Sequence, residues 1–527
     1  MKRVLSMILA LVLVFSVFAL TACGDQGTTA GSTPPPMGGT SGTNKPAGNN
    51  GTTAGSNTPD NTSSSATLES TTTGTTGWDP GDKEKKEAIR EGFEDVDFGG
   101  YTFTFASPIN DTDGWHDYEV YAEEDGEGIL DAAINERNNL LLEHYDCFVE
   151  VEDINEGNLT TDFATGTNHV DIALYKYNMQ SKASTNYYNF YDLGLDLEKP
   201  WWDQGYIEDA TVNGQIYTML GAFSLTSFDA TWVMFFNKDV QETNENLRGI
   251  NFYDLVYDNE WTLDKFFELV KYAYHDDGDQ TATLGGADVF GLVSSTFGIR
   301  GLYFGADQGY ITKTTAADKS TTFAHAFTTA ASEATDKVIE IYAHDATQLT
   351  DYKTVEAQMR SNGVLFSPEV LRKASYYAGK QGESTEPVSI GVLPHPKLSA
   401  DQNGYKHNVD NHVIYMCIPT TCADVERMTD FLELYAYHSY FTVYNSYLNL
   451  YKYTYTTDTD SAKMVDEILQ SRSFDLAYQY GFASIDGEYI KGVQEGSNVI
   501  AELGGQFGEA IVTAANTYRD KLPGNNK

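Results

Sequence analysis

The sequence is short of positive charge: 34 Lys and Arg stand against 76 Asp and Glu, a formal net charge of −42 over 527 residues. Proteins that hold a nucleic-acid backbone present clustered Lys and Arg. The balance therefore argues against nucleic acid as a partner, and against direct adhesion to anionic lipid headgroups. The acidity itself reads as a solubilising surface. Cysteine is almost as scarce, with four residues, and their spacing relative to histidine does not fit a zinc site. Beyond the amino terminus no apolar run is long enough to span a bilayer. There is no Walker lysine loop, no Gly-rich dinucleotide fingerprint and no Gly-x-Ser-x-Gly elbow. No cofactor and no resident metal are expected.

What is present begins with an export pattern. Lys2 and Arg3 precede an uncharged, mostly aliphatic run over residues 4–20 that ends in Leu20-Thr21-Ala22-Cys23. A basic start and a short apolar stretch describe a signal peptide, residues 1–22. The small residues before Cys23 resemble the bacterial lipobox, in which the cysteine is acylated and becomes the new first residue. One acyl chain anchors only marginally; the resemblance implies a diacylglyceryl group and an extracytoplasmic protein anchored to the cell membrane.

Residues 24–77 contain no aromatic residue, and 43 of these 54 positions are Gly, Ser, Thr, Asn or Pro. Such a segment cannot bury enough apolar surface to offset its ordering entropy. As a flexible coil it reaches roughly 40 Å root-mean-square. The expectation is a linker over residues 23–84 and a folded domain over 85–527, too long for one simple core.

Within that domain, residues 99–106 alternate like a strand. Asp131 to Tyr145 reads as a helix with Ile134, Leu141 and Tyr145 on one face, and strand-like runs follow at Cys147 to Val151 and Val170 to Tyr175. Strand, helix, strand at these intervals predicts parallel pairing through crossover helices. Thr262 and Asp424 are expected to cap helices that bury Phe266, Phe267 and Val270 in one case and Met428, Phe431 and Tyr435 in the other. Ile390 to Leu393 and His412 to Ile418 read as strands, and the carboxyl-terminal part as helical and Tyr-rich. The pattern gives an α/β protein of two lobes, whose intervening cleft is a natural small-molecule site. Cys147, Cys417 and Cys422 cannot all pair; free thiols and a Cys417–Cys422 bridge both remain open.

Several segments, in order, resemble the extracellular solute-binding proteins of carbohydrate ABC importers. They are Asp131-Ala-Ala-Ile-Asn-Glu-Arg-Asn, Asn213-Gly-Gln-Ile-Tyr217 leading to Val233-Met-Phe-Phe-Asn-Lys-Asp239, Trp261-Thr-Leu-Asp-Lys-Phe266, Ser361-Asn-Gly-Val-Leu-Phe366 and Ile390-Gly-Val-Leu-Pro-His-Pro-Lys397. A clostridial subgroup is similar also in Pro200-Trp-Trp-Asp203 and Arg472-Ser-Phe-Asp475. The resemblance implies a two-lobed periplasmic-binding-protein type II fold with hinge crossings between lobes. It implies one lobe of about 98–220 with 394–424 and a second of about 221–393 with 425–520. It further implies a monomer that closes on a sugar-like ligand and delivers it to permease subunits.

Sugars offer flat apolar faces and a rim of hydroxyls, which aromatic rings and carboxylates or amides match. Candidate ligand contacts are therefore Asp111, Asp113, Trp115 and Tyr118 in the loop after the first strand, and Tyr175 and Asn178 after a later one. Asp229 and Trp232 lie at the first crossing, Glu369 follows Phe366-Ser-Pro, and Asp410 and Asn411 flank the returning strand. Trp201 and Trp202 read as structural. His275-Asp-Asp-Gly-Asp279 only partly matches a calcium loop, since Gly286 stands where a bidentate acid is expected. Two competing readings are a surface sensor or adhesin without transport, and an extracellular glycoside hydrolase. The latter needs two carboxylates about 5–10 Å apart in an aromatic cleft, and nothing in the spacing selects such a pair.

Overall fold

The structure is a computed structural model that describes residues 88–107, 119–122, 128–154, 156–176, 186–380, 382, 385–422, 424–456 and 458–523. Contacts divide the chain after Thr73, and every described residue belongs to the unit Gly74–Lys527. The export segment, Cys23 and the linker lie outside the described residues, as do Asp111, Asp113, Trp115, Tyr118 and Asn178. Among the described residues no helix is long and apolar enough to cross a membrane.

The first sheet starts with β1 (Tyr101–Ser107), β2 (Cys147–Asp153) and β3 (Ile172–Lys176), which pair in parallel with β1 in the middle. Parallel neighbours require crossovers, and the helices Ile129–Tyr145 and Glu156–Thr165 supply them. Phe103 and Phe105 point into the core while Thr102 and Thr104 stay partly exposed, the alternation the sequence predicts. Helix Ile129–Tyr145 buries Ile134, Leu141 and Tyr145 as its spacing predicts. It also buries Arg137, whose guanidinium donates to the Glu119 and Val120 carbonyls at 3.1 and 2.5 Å and lies 4.3 Å from the Tyr435 ring centroid.

The chain then builds a second sheet. β4 (Trp232–Asn237) and β5 (Phe290–Ser294) come first. The β6–β7 hairpin (Ile311–Thr315, Thr321–His325) stands apart. β8 (Thr347–Leu349), β9 (Val364–Val370) and β10 (Ile390–Leu393) complete the set. The order is β10-β4-β9-β5-β8, antiparallel at β10/β4 and β4/β9 and parallel at β9/β5 and β5/β8. All six residues of β4 are buried, which is why it reads as an unbroken apolar run instead of alternating. Thr262 caps helix Leu263–Ala273 through the Lys265 N–H, and Phe266, Phe267 and Val270 are buried beneath it.

After β10 the chain returns through β11 (His407–Asn408) to β12 (Ile414–Cys417), which joins the first sheet antiparallel to β3. Among the described residues two segments link strands of the two sheets, outward over 219–231 and back over 409–416, and the chain passes across again between helices Val425–Ser439 and Thr459–Gln470. Bridges at Met219–Met416 and Thr231–Val409 hold the first two side by side. The short β13 (Arg472–Ser473) pairs with β11.

The carboxyl-terminal part is helical. Asp424 caps helix Val425–Ser439 through the Arg427 N–H. This helix lies on the first sheet: Phe431 stacks on Phe103 with ring centroids 3.6 Å apart and planes 11° off parallel. The resemblance implies that all of 425–520 belongs with the second lobe. The stretch Val425–Ser439 differs because its apolar face is shaped to the β1 phenylalanines. Helix Thr459–Gln470 packs instead on β10, where the Val392 N–H donates to Ser461 Oγ at 3.2 Å. Trp201 and Trp202 are buried. Cys147, Cys417 and Cys422 are buried and none is in a disulfide, so the Cys417–Cys422 bridge does not form.

Candidate ligand-binding site

A cavity of about 840 Å³ opens where β4 begins and the returning segment passes it. Its described walls come from three parts of the chain. The second sheet and its helices give Trp232, Phe297, Tyr352 and Glu369; the return gives Asp410 and Asn411; the carboxyl-terminal helices give Tyr478 and Asp486.

Arg300 organises this wall. It sits in helix Gly298–Gly305, whose residues are all buried. Gly301 and Gly305 let that helix approach His395 closely: a Cβ at Gly305 would stand 2.4 Å from the His395 Cβ. Seated in this way, Arg300 donates to Asp410 Oδ2 at 3.0 Å and to Asp486 Oδ2 at 2.7 Å. Its guanidinium also lies 4.3 Å from the Tyr478 ring centroid. Asp410 Oδ2 further accepts from Trp232 Nε1 at 3.1 Å and from Tyr478 OH at 3.3 Å, and Oδ1 meets His412 Nδ1 at 2.5 Å. Burial alone would raise the Asp410 carboxyl. The His412 hydrogen bond and the Arg300 charge outweigh it and hold the group down at about 2. Asp410 is therefore a fixed anion.

Two rings that line the cavity, Phe297 and Tyr352, are exposed. Phe297 and Tyr352 stack with centroids 6.1 Å apart and planes 20° off parallel. They are 40% and 45% exposed, and the Arg300 guanidinium lies 5.4 Å from the Phe297 ring centroid. Glu369, next to the cavity on β9, is buried. Its Oε2 accepts from Tyr377 OH, and its Oε1 has no hydrogen-bond partner among the described residues. Burial pushes this carboxyl up to about 7, against the pull of Lys373 and Tyr377. A rigid aromatic face beside buried acceptors can hold a flat polar ligand by stacking and by hydrogen bonds to its rim.

Of the sequence candidates, Trp232, Glu369, Asp410 and Asn411 meet at this cavity. Asp229 does not line it; it is buried nearby and accepts from Tyr447 OH at 2.9 Å and Tyr451 OH at 2.5 Å. Tyr175 is buried in β3 and donates to the Ile154 carbonyl at 3.1 Å. Asp276, Asp277 and Asp279 bring carboxylate oxygens within 4.8 Å of one another in a partly exposed turn away from the cavity wall. Sequence reasoning missed Arg300, Phe297, Tyr352, Tyr478 and Asp486. One signal was available: Arg300 is the single charge between Asp288 and Asp307, and a lone charge in an apolar run is buried and paired.

No protein-family model matches the chain, and no curated protein sequence matches it. Solved structures do. The sugar-binding protein MalE from the phytopathogen Xanthomonas citri aligns at 11% identity over 79% of this chain and 99% of its own, with a TM-score of 0.52. UspC from M. tuberculosis aligns at 13% identity over 78% of this chain and 100% of its own, with a TM-score of 0.51. At such identities the likeness shows the fold, the two-lobed periplasmic-binding-protein type II arrangement.

Proposed function

We propose that this chain is the extracytoplasmic solute-binding subunit of an ABC importer, anchored through lipid on Cys23, and that it captures a saccharide for delivery to a permease. The observation that carries the reading is the cavity beside the crossing segments, where exposed stacked rings face buried carboxylates. The fold shared with a sugar-binding protein supports it. The proposed lobes are residues 98–220 with 394–424 and the Val425–Ser439 helix, and residues 221–393 with the remaining carboxyl-terminal helices.

The mechanism is closure by differential affinity. A ligand that touches both lobes binds the closed state more tightly and shifts the population towards it. Trp232 and Asp410, where the two crossings meet, place the ligand against the elements that would bend. Hydrolysis would need a second free carboxylate beside the protonated Glu369, and Asp410 and Asp486 are both paired with Arg300.

A thermal-shift screen of the purified protein against mono- and oligosaccharides tests the reading. A true ligand at 100 times its dissociation constant adds about 2.7 kcal/mol to stability. Absence of any shift across the sugar panel would remove saccharides as the ligand class. Release of a reducing end from an oligosaccharide would replace binding with hydrolysis.

A further inference from the structure

Away from the cavity, a buried carboxyl joins two of the segments that pass between the lobes. Helix Leu225–Asp229 lies in the outgoing crossing, and all of its residues are buried. One end is fixed to the first lobe: the Thr226 N–H and hydroxyl both donate to Glu119 Oε1 at 2.6 Å. The other end meets the second sheet, where the Arg372 N–H after β9 donates to the Asp229 carbonyl at 3.1 Å.

The later crossing is a continuous helix. Val425–Ser439 lies on the first sheet and runs on through a π-helical turn, Tyr440–Tyr444, an α-helical stretch, Asn445–Leu450, and a second π-helical turn, Tyr451–Tyr455. The second turn packs on helix Lys373–Tyr377, which follows β9. Lys452 Nζ in that turn reaches Asp466 at 2.6 Å, on the helix that lies on β10. Such π turns are rare, and they are among the few places where a long helix bends sharply. Two of them bracket the part of this helix that lies between the lobes.

Asp229 fastens the two crossings together. Its Oδ1 accepts from Tyr447 OH at 2.9 Å and from Tyr451 OH at 2.5 Å, one on each side of the junction between the α-helical stretch and the second π turn. The two rings stack with centroids 4.3 Å apart, and Phe228 packs on Tyr444 and Tyr447 at 4.9 and 5.4 Å. Asp229, Tyr447 and Tyr451 are all buried. Burying a carboxyl and two phenols is unfavourable unless they are hydrogen-bonded, so the contact favours the present register of the two crossings. None of the three lines the cavity, whereas Trp232, just beyond Asp229 in the chain, does.

We propose that Asp229, Tyr447 and Tyr451 are positioning residues that lock the outgoing crossing to the crossing helix and set the spacing of the two lobes, and with it access to the cavity. This rests on the closure mechanism above and names a contact that governs it. A contact made in one conformation and broken in another favours the first by its own free energy.

The test reads the lobes directly, with no sugar present. Nitroxides at Glu143 and Glu340, both exposed, mark the first and second lobes. They are introduced through non-cysteine chemistry, so the native thiols stay unlabelled. Double electron–electron resonance on the full chain should give the wild type a single narrow distance. Tyr447→Phe and Tyr451→Phe keep both rings and remove one hydroxyl each. Either change should shift the balance of lobe spacings about tenfold, the scale of a hydrogen bond to a carboxylate, and broaden the distribution. The double variant should resolve a second distance; the single variants keep one hydroxyl on Asp229 and decide the matter even where the double fails to fold. An unchanged distribution in every variant that folds overturns the lock. A fall in urea stability without a change in distance also overturns it, because the contact then has a structural role only. Failure of every saccharide in the thermal-shift panel would remove the sugar reading and leave this result standing.

Discussion

Arg300 and Asp410 are 110 residues apart in sequence and 3.0 Å apart in the cavity wall. Arg300 belongs to the helix after β5, and Asp410 to the segment that returns to the first sheet. Their ion pair fixes that return against the second sheet's helices, and Asp486 extends the link to the carboxyl-terminal helices. Trp232 Nε1 on the same Asp410 oxygen ties in the outgoing crossing. The groups that would meet a ligand therefore also hold the crossings together.

Replacing Asp410 with Asn should be costly for that reason. It leaves Arg300 buried with one counter-charge and deprives His412 of its carboxylate. Removing one partner of a buried pair costs about 3–5 kcal/mol; the remaining Asp486 contact places this case near the lower end. The sign with pH follows from a carboxyl held at about 2. The Asp410 contribution is complete above the unfolded value near pH 4 and is lost as pH falls through 2. Urea denaturation at pH 7 and pH 3 should show the wild-type advantage over Asp410→Asn shrinking on acidification.

Glu369 should behave with the opposite sign. Burial raises it from 4.5 to about 7, with Tyr377, Lys373 and Glu356 as its neighbours. Its contribution is complete below pH 4.5 and is lost as pH rises through 7, amounting to about 3 kcal/mol in total. Glu369→Gln keeps an acceptor for Tyr377 OH and removes the titration. The variant should match the wild type near pH 4.5 and be more stable by about 2–3 kcal/mol at pH 8. Equal stability of the two at pH 8 would show that the carboxyl is hydrated and not buried.

Periodicity made the framework legible in the sequence. Phe103 and Phe105 alternate in β1, and Phe266, Phe267 and Val270 repeat at helical spacing behind the Thr262 cap. What it could not show is which element each face meets. Helix Val425–Ser439 has the expected buried face, yet whether it covers the first sheet or the second depends on three-dimensional fit with Phe103. The same limit applied to the site. Trp232, Glu369, Asp410 and Asn411, candidates because they sit at crossings that the family resemblance marks, line the cavity. Phe297, Tyr478 and Asp486 were not candidates, because nothing local distinguishes a ring or acid at a cavity from one in the core.

The Phe297–Tyr352 pair offers a test that separates binding from folding. Both rings are substantially exposed, so truncation removes little buried surface. Phe297→Ala and Tyr352→Ala should each change stability by less than about 1 kcal/mol. Sugar affinity should fall about tenfold for either, since a stacking face contributes about 0.5–1.5 kcal/mol beyond its buried area. Calorimetry with the best sugar from the screen, beside a urea curve for each variant, gives both quantities. An affinity unchanged in both variants would move the ligand elsewhere in the cavity.

His395 should set the acid limit of the fold. It is fully buried, neither ring nitrogen has a hydrogen-bond partner among the described residues, and burial pushes it down to about 3. Its backbone N–H donates to His407 Nε2 at 3.2 Å, so the His407 proton sits on Nδ1 and faces Ser471 Oγ at 2.9 Å. Protonation of His407 Nε2 would break that contact, and burial with His395 and Lys406 nearby pushes His407 down as well. A histidine depressed in the folded state gives stability that is complete above its unfolded value near 6.5 and is lost as pH falls towards 3, at about 1.4 kcal/mol per unit. His395→Leu has similar volume and sacrifices no hydrogen bond, so at pH 7.5 it should fold about as well as the wild type. At pH 5 the variant should be ahead by about 2 kcal/mol, because one of the two buried sites no longer has to stay uncharged. Parallel loss of stability in both proteins between pH 7.5 and pH 5 would assign the acid limit to His407 or to groups elsewhere in the fold.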